Sequence, residues 1–319
     1  MKRVVFINGN DAKTAKIFMD NEPIGFHAVV LSKDVAETEK VKAIKTADYL
    51  VLHPAAISDD LLKQGTSLKL LQLLSAGYDK INLGLCKELQ LPVATNGGAN
   101  AWSVAEHSVA MLLAIYRRLV ECDKATRAGN WRRPIPEFTT FELSGKTVGI
   151  LGAGNIGQKV AERYKAFETN ILYYNRSNSV FMEQELNAKK ASLEEIAREA
   201  DIISIHLPLF AETQGLLGAK EIAQMKPNMV IINTGRAELV DQKALIDALQ
   251  QGKIMAAGLD VFDREPVALD NALLKMSNVL LSPHIAGHSA EGWTRRIIFA
   301  WENIQNLEVG RCLKSVVKN

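Results

Sequence analysis

The 319-residue chain is longer than one typical domain of about 100–200 residues, so two domains are the starting expectation. Apolar residues make up 47% and charged residues 23%, the balance of a globular protein with a sizeable core. A formal charge of +2 excludes the strongly basic surface that a nucleic-acid or acidic-membrane partner would call for. No run approaches the roughly 20 apolar residues of a membrane-spanning helix. The start, "MKRVVFINGND", lacks the apolar stretch of about 7–15 residues that a secretory signal needs. Cys86, Cys122 and Cys312 are far apart and show no zinc-type spacing. The expectation is a cytoplasmic chain with buried, inert thiols, no metal and no membrane or nucleic-acid partner.

In chain order, "RVVFIN", "HAVVLS", "DYLVLH", "LKLLQLL" and "LPVATN" read as short buried strands of a parallel sheet. The stretches "DAKTAKIFMD", "VAETEKVKAIK" and "DDLLKQGTS" between them read as helical. A long helical pattern follows over 101–121, with Val104, Ser108, Met111, Leu112, Ile115 and Leu119 on one face. "RAGNWRRPIPEFTTFELSGK" reads as a connecting arm. A second βα series then runs through "TVGILG", "NILYYN", "DIISIHLP", "NMVIINTG", "MAAGLDVF" and "NVLLSPHI", before a final helical stretch that folds back onto the first domain. Both series imply doubly wound α/β sheets.

"TVGILGAGNIGQKVAERYKAF" places Gly152, Gly154 and Gly157 in the G-x-G-x-x-G spacing between an apolar strand and an amphipathic helix. The first glycine permits the turn, the second lets backbone approach a pyrophosphate, and the third allows close helix–strand packing. Asn155 and Ile156 open the helix whose free N–H groups would face the phosphates. The alternative is a glycine turn with no ligand. About 20 residues on, where an acid would bind the ribose of NAD, stand Asn175, Arg176 and Ser177. Asn175 removes the repulsion of a 2′-phosphate, Arg176 can pair with one and Ser177 adds a donor. On charge grounds NADP(H) is favoured, with NAD(H) admissible; the bland alternative is a solvated turn.

Ligands bind at the carboxyl ends of strands in such sheets. Three later strands end near Arg236, near Asp260 and Glu265, and near His284. Imidazole titrates near 6.5, which suits His284 as proton donor to a carbonyl becoming an alkoxide. Glu265 would orient it and favour its charged form, and Arg236 would hold a substrate carboxylate and polarise the carbonyl. A 2-keto acid reduced to a 2-hydroxy acid fits this trio. The alternatives are a structural histidine, a charged turn and a surface arginine. His27, His53, His107, His206 and His288 form no metal-type spacing, and His206 either borders the cofactor or packs.

"GILGAGNIG", "HLPLFAETQGLL", "MKPNMVIINTGRAELVD", "GLDVFDREP" and "SPHIAG" resemble the successive motifs of D-isomer-specific 2-hydroxyacid dehydrogenases. "LLSAGYDKINL" and "NGGANAWSVAEHSVAMLLA" resemble that family's substrate loop and interdomain helix. The resemblance covers nearly the whole chain. It implies a Rossmann domain, residues 100–287, inserted into a flavodoxin-like substrate domain made of residues 1–99 and 288–319. It implies Arg236, Glu265 and His284 as catalytic residues, with Ser75, Ala76 and Gly77, together with Arg236, holding the substrate carboxylate. Val104, Leu207, Pro208, Thr213, Thr234, Gly235, Asp260 and Gly287 fall at cofactor positions, Asp260 on the nicotinamide side. It implies a substrate cleft between domains and a homodimer through the nucleotide domain, involving residues 101–141.

Departures narrow the substrate. "QLLSAG" is apolar where phosphoglycerate dehydrogenases carry an Arg, and His53 replaces a second Arg. Ala237 replaces the usual glycine in "NTGRAE". "YYNRS" resembles NADPH-using glyoxylate and hydroxypyruvate reductases, so a small unphosphorylated 2-keto acid is the expected substrate. The rival readings are a reductase of aromatic or branched-chain keto acids, with Trp102, Trp131 and Trp293 lining a larger pocket, and a nucleotide-sensing corepressor-like protein.

Overall fold

The computed structural model describes residues 1–9, 12–131 and 139–317. Its chain divides into two compact units, Met1–Asn100 with His288–Asn319, and Ala101–Gly287. No helix among the described residues is long and apolar enough to cross a membrane.

In the first unit, β1 (Lys2–Asn8), β2 (Phe26–Ser32), β3 (Tyr49–His53), β4 (Leu70–Leu73) and β5 (Val93–Ala94) form a parallel sheet in the order β2-β1-β3-β4-β5. That is the flavodoxin-like order. The continuous apolar runs of these strands follow from burial on both faces. Val5, Ile7, Leu50 and Leu52 enter one core, whereas Val4, Phe6, Tyr49 and Val51 enter the other. Helix Ala290–Glu308 closes the second core with Ile297, Ala300, Trp301 and Ile304. The Trp301 ring stacks on Phe18 at 4.6 Å, and its Nε1–H donates to the Phe18 carbonyl at 3.1 Å.

In the second unit, β6 (Thr147–Leu151), β7 (Asn170–Tyr174), β8 (Lys189–Lys190), β9 (Ile202–Ile205), β10 (Val230–Asn233), β11 (Ala256–Leu259) and β12 (Val279–Leu281) form a second parallel sheet. Its order is β12-β11-β10-β9-β6-β7-β8, the Rossmann order with one added edge strand. The strand order reverses between β6 and β9, and that switch point is where such a sheet opens a ligand crevice. Val148 and Ile150 of β6 enter one core and Leu151 the other, the period of 2 that a strand covered on both faces imposes.

Three expectations need correction. The helix predicted over 101–121 ends at Tyr116, and a second helix runs Leu119–Arg127. Arg118 breaks it: its φ is 51°, and its guanidinium pairs with Glu121 (2.7 Å) and donates to Thr139 Oγ1 (2.9 Å). Leu119 is consequently exposed rather than on the apolar face. The two-residue strand β8 has no pattern long enough to reveal it. Of the three free thiols, only Cys86 is buried; Cys122 is half-buried and Cys312 exposed. Residues 132–138 of the predicted arm lie outside the described residues.

Candidate active site

The glycine loop leads from β6 into helix Asn155–Ala166 at the switch point. Gly152 has φ +100°, and a Cβ there would stand 2.7 Å from the His206 carbonyl oxygen. A Cβ on Gly157 would stand 1.8 Å from the Gly152 carbonyl oxygen. Both glycines are therefore fixed by backbone meeting backbone. Gly154 is different: beyond its own backbone and immediate chain neighbours nothing lies within 4 Å of where its Cβ would be, and it starts the helix with no side-chain cap. Open space in front of uncapped helix N–H groups is what an anionic diphosphate requires. The loop thus fits a dinucleotide. Asn155 is exposed, and Ile156 packs against the core.

The turn after β7 is tied to this loop. Asn175 Oδ1 accepts from the Ala153 N–H at 3.3 Å, and Asn175 Nδ2 donates to the Ser177 carbonyl at 3.0 Å. Arg176 and Ser177 are exposed. The nearest acids turn elsewhere, since Glu183 accepts from the Tyr173 hydroxyl at 2.5 Å and Glu168 from Ser144 at 2.9 Å. Sequence reasoning missed Lys190. Its Nζ donates to Asn178 Oδ1 at 2.8 Å and lies 3.4 Å from the Arg176 carbonyl, adding a second cation at the turn.

Across the switch point, Leu207 and Pro208 follow β9, and the Leu207 nitrogen lies 2.9 Å from the Gly152 Cβ position. Thr213 holds this loop by donating to the Pro208 carbonyl and accepting from the Phe210 N–H, both at 2.8 Å. The His206 ring bonds Ser204 through Nε2 at 2.8 Å, and its Nδ1 is enclosed. Burial pushes this imidazole down to about 3, so His206 is neutral and packs. Val104 is buried on helix Ala101–Tyr116, its carbonyl accepting from Ser108 at 2.8 Å. Ser108 also meets Thr234 at 3.0 Å.

The carboxyl ends of β10, β11 and β12 are adjacent in the sheet, and each delivers one of the three expected groups. After β10, Asn233 accepts from the Gly235 N–H (3.0 Å) and donates to the Arg236 carbonyl (2.9 Å), shaping the loop that carries the half-buried Arg236. After β11, Glu265 Oε1 accepts from the Phe262 N–H at 3.1 Å. After β12, His284 adopts φ +54°, a conformation few side-chain-bearing residues take. Its Nδ1 lies 2.7 Å from Glu265 Oε2. A carboxylate only accepts, so Nδ1 holds the proton and Nε2 is left to exchange one.

Asp260 is fully buried, and both oxygens are engaged inside the protein: Ser282 Oγ at 2.5 Å and the Ile285 N–H at 2.9 Å on Oδ1, the Ala286 N–H at 2.8 Å on Oδ2. It holds the loop on both sides of His284. Gly287 closes the unit. In the first unit, Ser75, Ala76 and Gly77 form a turn after β4, with Ser75 Oγ donating to the Gly77 carbonyl at 2.7 Å. Among the described residues no group of three or more His, Cys, Asp or Glu side chains could hold a metal ion. Of the three tryptophans expected to line a larger pocket, Trp293 lies against His53 at 4.5 Å and under Arg296 at 4.5 Å in the first unit. Trp102 and Trp131 are exposed in the second unit.

A family model described as D-isomer specific 2-hydroxyacid dehydrogenase, NAD binding domain, matches residues 109–286. The chain is 39% identical over 286 residues to the glyoxylate reductase of Aeropyrum pernix, covering 88% of this chain and 85% of that protein. It is 34% identical over 288 residues to the hydroxypyruvate reductase of Thermotoga maritima, covering 89% and 91% respectively. Among solved structures, it is similar to the NADPH-dependent glyoxylate/hydroxypyruvate reductase of Sinorhizobium meliloti in complex with NADP and malonate. That likeness has a TM-score of 0.84 at 25% identity and covers 99% of this chain and 96% of the other.

Proposed function

Because the chain belongs to the D-isomer-specific 2-hydroxyacid dehydrogenase family and is an NAD(P)-using oxidoreductase, we propose that it reduces glyoxylate or hydroxypyruvate to the D-2-hydroxy acid with NADPH. The observation that carries this reading is the His284–Glu265 contact of 2.7 Å at the ends of adjacent strands. The nicotinamide supplies the hydride when bound. His284 delivers the proton from Nε2 to the oxygen that becomes a hydroxyl, while Glu265 keeps Nδ1 protonated and stabilises the imidazolium. Arg236 holds the keto acid's carboxylate and polarises its carbonyl.

The uncapped helix start at Gly154 would hold the diphosphate, with Gly152 and Gly157 shaping its loop and Leu207, Pro208, Thr213, Thr234 and Gly235 beside it. Arg176 and Ser177 would meet the 2′-phosphate. The engagement of Glu183 and Glu168, the acids nearest in sequence, with Tyr173 and Ser144, and the presence of Lys190 at the turn, support NADPH over NADH. Gln72, ahead of the substrate turn, is buried and donates to the carbonyls of Leu73, Ala94 and Thr95, which supports an unphosphorylated substrate. A homodimer in the cytoplasm belongs to the same proposal. Helix Leu119–Arg127 has no buried residue, and its Leu119 and Val120, with Trp131 beyond its end, stand exposed.

The test is spectrophotometric: purified protein with a panel of 2-keto acids, run with NADPH and NADH in parallel. Glyoxylate and hydroxypyruvate should give the highest kcat/KM, with NADPH preferred and Arg176→Ala weakening NADPH about tenfold, as losing a charge-assisted hydrogen bond does. No turnover with any keto acid would sink the enzymatic reading, and equal use of both cofactors would sink the NADPH preference.

A further inference from the structure

Asp260 brings one more residue into the site. Ser282 has a single hydroxyl proton, and its 2.5 Å bond to a carboxylate that can only accept fixes where that proton points. Ser282 Oγ also lies 2.9 Å from His107 Nε2. With the hydroxyl proton committed to Asp260, the proton in this second bond has to come from the histidine. His107 therefore carries Nε2–H, which stands 3.8 Å from Asp260 Oδ1. The result is a continuous chain: His107 on helix Ala101–Tyr116, Ser282 beyond β12, Asp260 beyond β11, and the Ile285 and Ala286 N–H groups immediately after His284.

We propose that His107 is a positioning residue for His284. Through Ser282 it holds the buried Asp260 carboxylate, and through Asp260 it fixes the loop that keeps His284 at φ +54° against Glu265. The next helix residue, Ser108, meets Thr234 at 3.0 Å in the Arg236 loop. Two consecutive residues of one helix thus brace the loops of Arg236 and of His284. The role rests on the reading of His284 as proton donor given above. A loop carrying an acid–base group must be held to a fraction of an ångström, because a misplacement of about 1 Å can lower turnover about 100-fold.

Three measurements decide it. Long-range ¹H–¹⁵N spectra of the unmodified protein should show His107 protonated at Nε2. His107→Leu should raise amide exchange at Ile285 and Ala286 by about tenfold or more. It should lower kcat about 10- to 100-fold, with NADPH Kd and keto-acid KM changed little. His107→Gln, which keeps an N–H donor, should recover most of both effects. If His107→Leu does not fold, Ser282→Ala removes the bridge instead and should give the same rise in exchange. An unprotonated Nε2, unchanged exchange at the two amides, or a His107→Gln variant as impaired as His107→Leu would overturn the proposal. The exchange result is read without substrate. A protein that reduces no keto acid would therefore refute the proposed reaction while leaving the test of the His107 bracing intact.

Discussion

Two glycines three residues apart should respond to the same substitution in opposite ways. In Gly157→Ala the new Cβ would stand 1.8 Å from the Gly152 carbonyl oxygen, where an ordinary C···O approach is about 3.3 Å. Helix Asn155–Ala166 and the glycine turn must separate by roughly 1.5 Å, and both sides are backbone, so no rotamer change relieves the contact. Overpacking of this kind costs about 3 kcal/mol, or about 6–12 °C in melting temperature at roughly 2–4 °C per kcal/mol. In Gly154→Ala the methyl meets nothing within 4 Å, and φ is −79°, which any residue adopts. Stability should stay within about 0.5 kcal/mol. The same open space is the proposed diphosphate seat, so NADPH Kd should rise about tenfold or more, some 1.4 kcal/mol. Thermal unfolding and fluorescence titration with NADPH read the two effects separately. Unaltered NADPH affinity in Gly154→Ala would refute the seat, and an unaltered melting temperature in Gly157→Ala would refute the contact.

Glu265→Gln keeps an acceptor for His284 Nδ1–H but removes the charge that favours imidazolium, so kcat should fall about 10²- to 10⁴-fold with the fold unchanged; steady-state rates within twofold of the unmodified protein would count against the pair. Asn175→Asp retains the acceptor for the Ala153 N–H and places an acid at the ribose, so the ratio of NADPH to NADH kcat/KM should move toward NADH. Burial alone would raise the Asp201 carboxyl, but the Thr147 N–H, Lys226 and Asn228 outweigh it and hold it below the ordinary carboxylate range. A depressed native value stabilises the fold above the unfolded value near about 3.9 and is lost as pH falls below it, so Asp201→Asn should flatten that acid-side loss in urea-unfolding midpoints. Trp301→Ala empties a fully packed site between helix Ala290–Glu308 and Phe18 and should cost about 3–5 kcal/mol by urea unfolding.

The features legible in the sequence are those whose physics is local. Apolar runs of four to seven residues had to be strands covered on both faces, and the glycine spacing had to be a turn into a helix, because only glycine fits where Gly152 and Gly157 meet backbone. The order of Arg236, Glu265 and His284 was readable because each follows an apolar strand within a few residues. What could not be read depends on contacts remote in sequence. His107 and Ser282 are 175 residues apart, and Gln72 and Asn303, which share a buried hydrogen bond of 2.9 Å, are 231 apart. Lys190 reaches the turn after β7 from a strand of two residues, too short for any alternation to mark. The helix break at Arg118 was hidden because the apolar spacing continues through it, while a left-handed arginine bonded to Glu121 and Thr139 leaves no pattern.

The proposed site separates the groups assigned to the reaction from the groups that hold them, and the choice of holder follows from donor and acceptor counts. His284 and Glu265, the proposed acid–base pair, have side chains 46% and 36% exposed. Asn233 and Asp260, which hold the loops of Arg236 and His284, are 2% and 0% exposed. Asn233 must accept from the Gly235 N–H and donate to the Arg236 carbonyl, so it needs an amide; an aspartate there would set a buried charge against a carbonyl oxygen. Asp260 receives two N–H groups and a hydroxyl and donates nothing, so it needs a carboxylate; an asparagine would turn its own N–H₂ toward the Ala286 N–H or the Ile285 N–H. The two side chains are nearly equal in volume, yet each would leave unsatisfied buried groups in the other's place. In the proposed reaction, that fixes which strand end presents a cation for the carboxylate and which one steadies the acid.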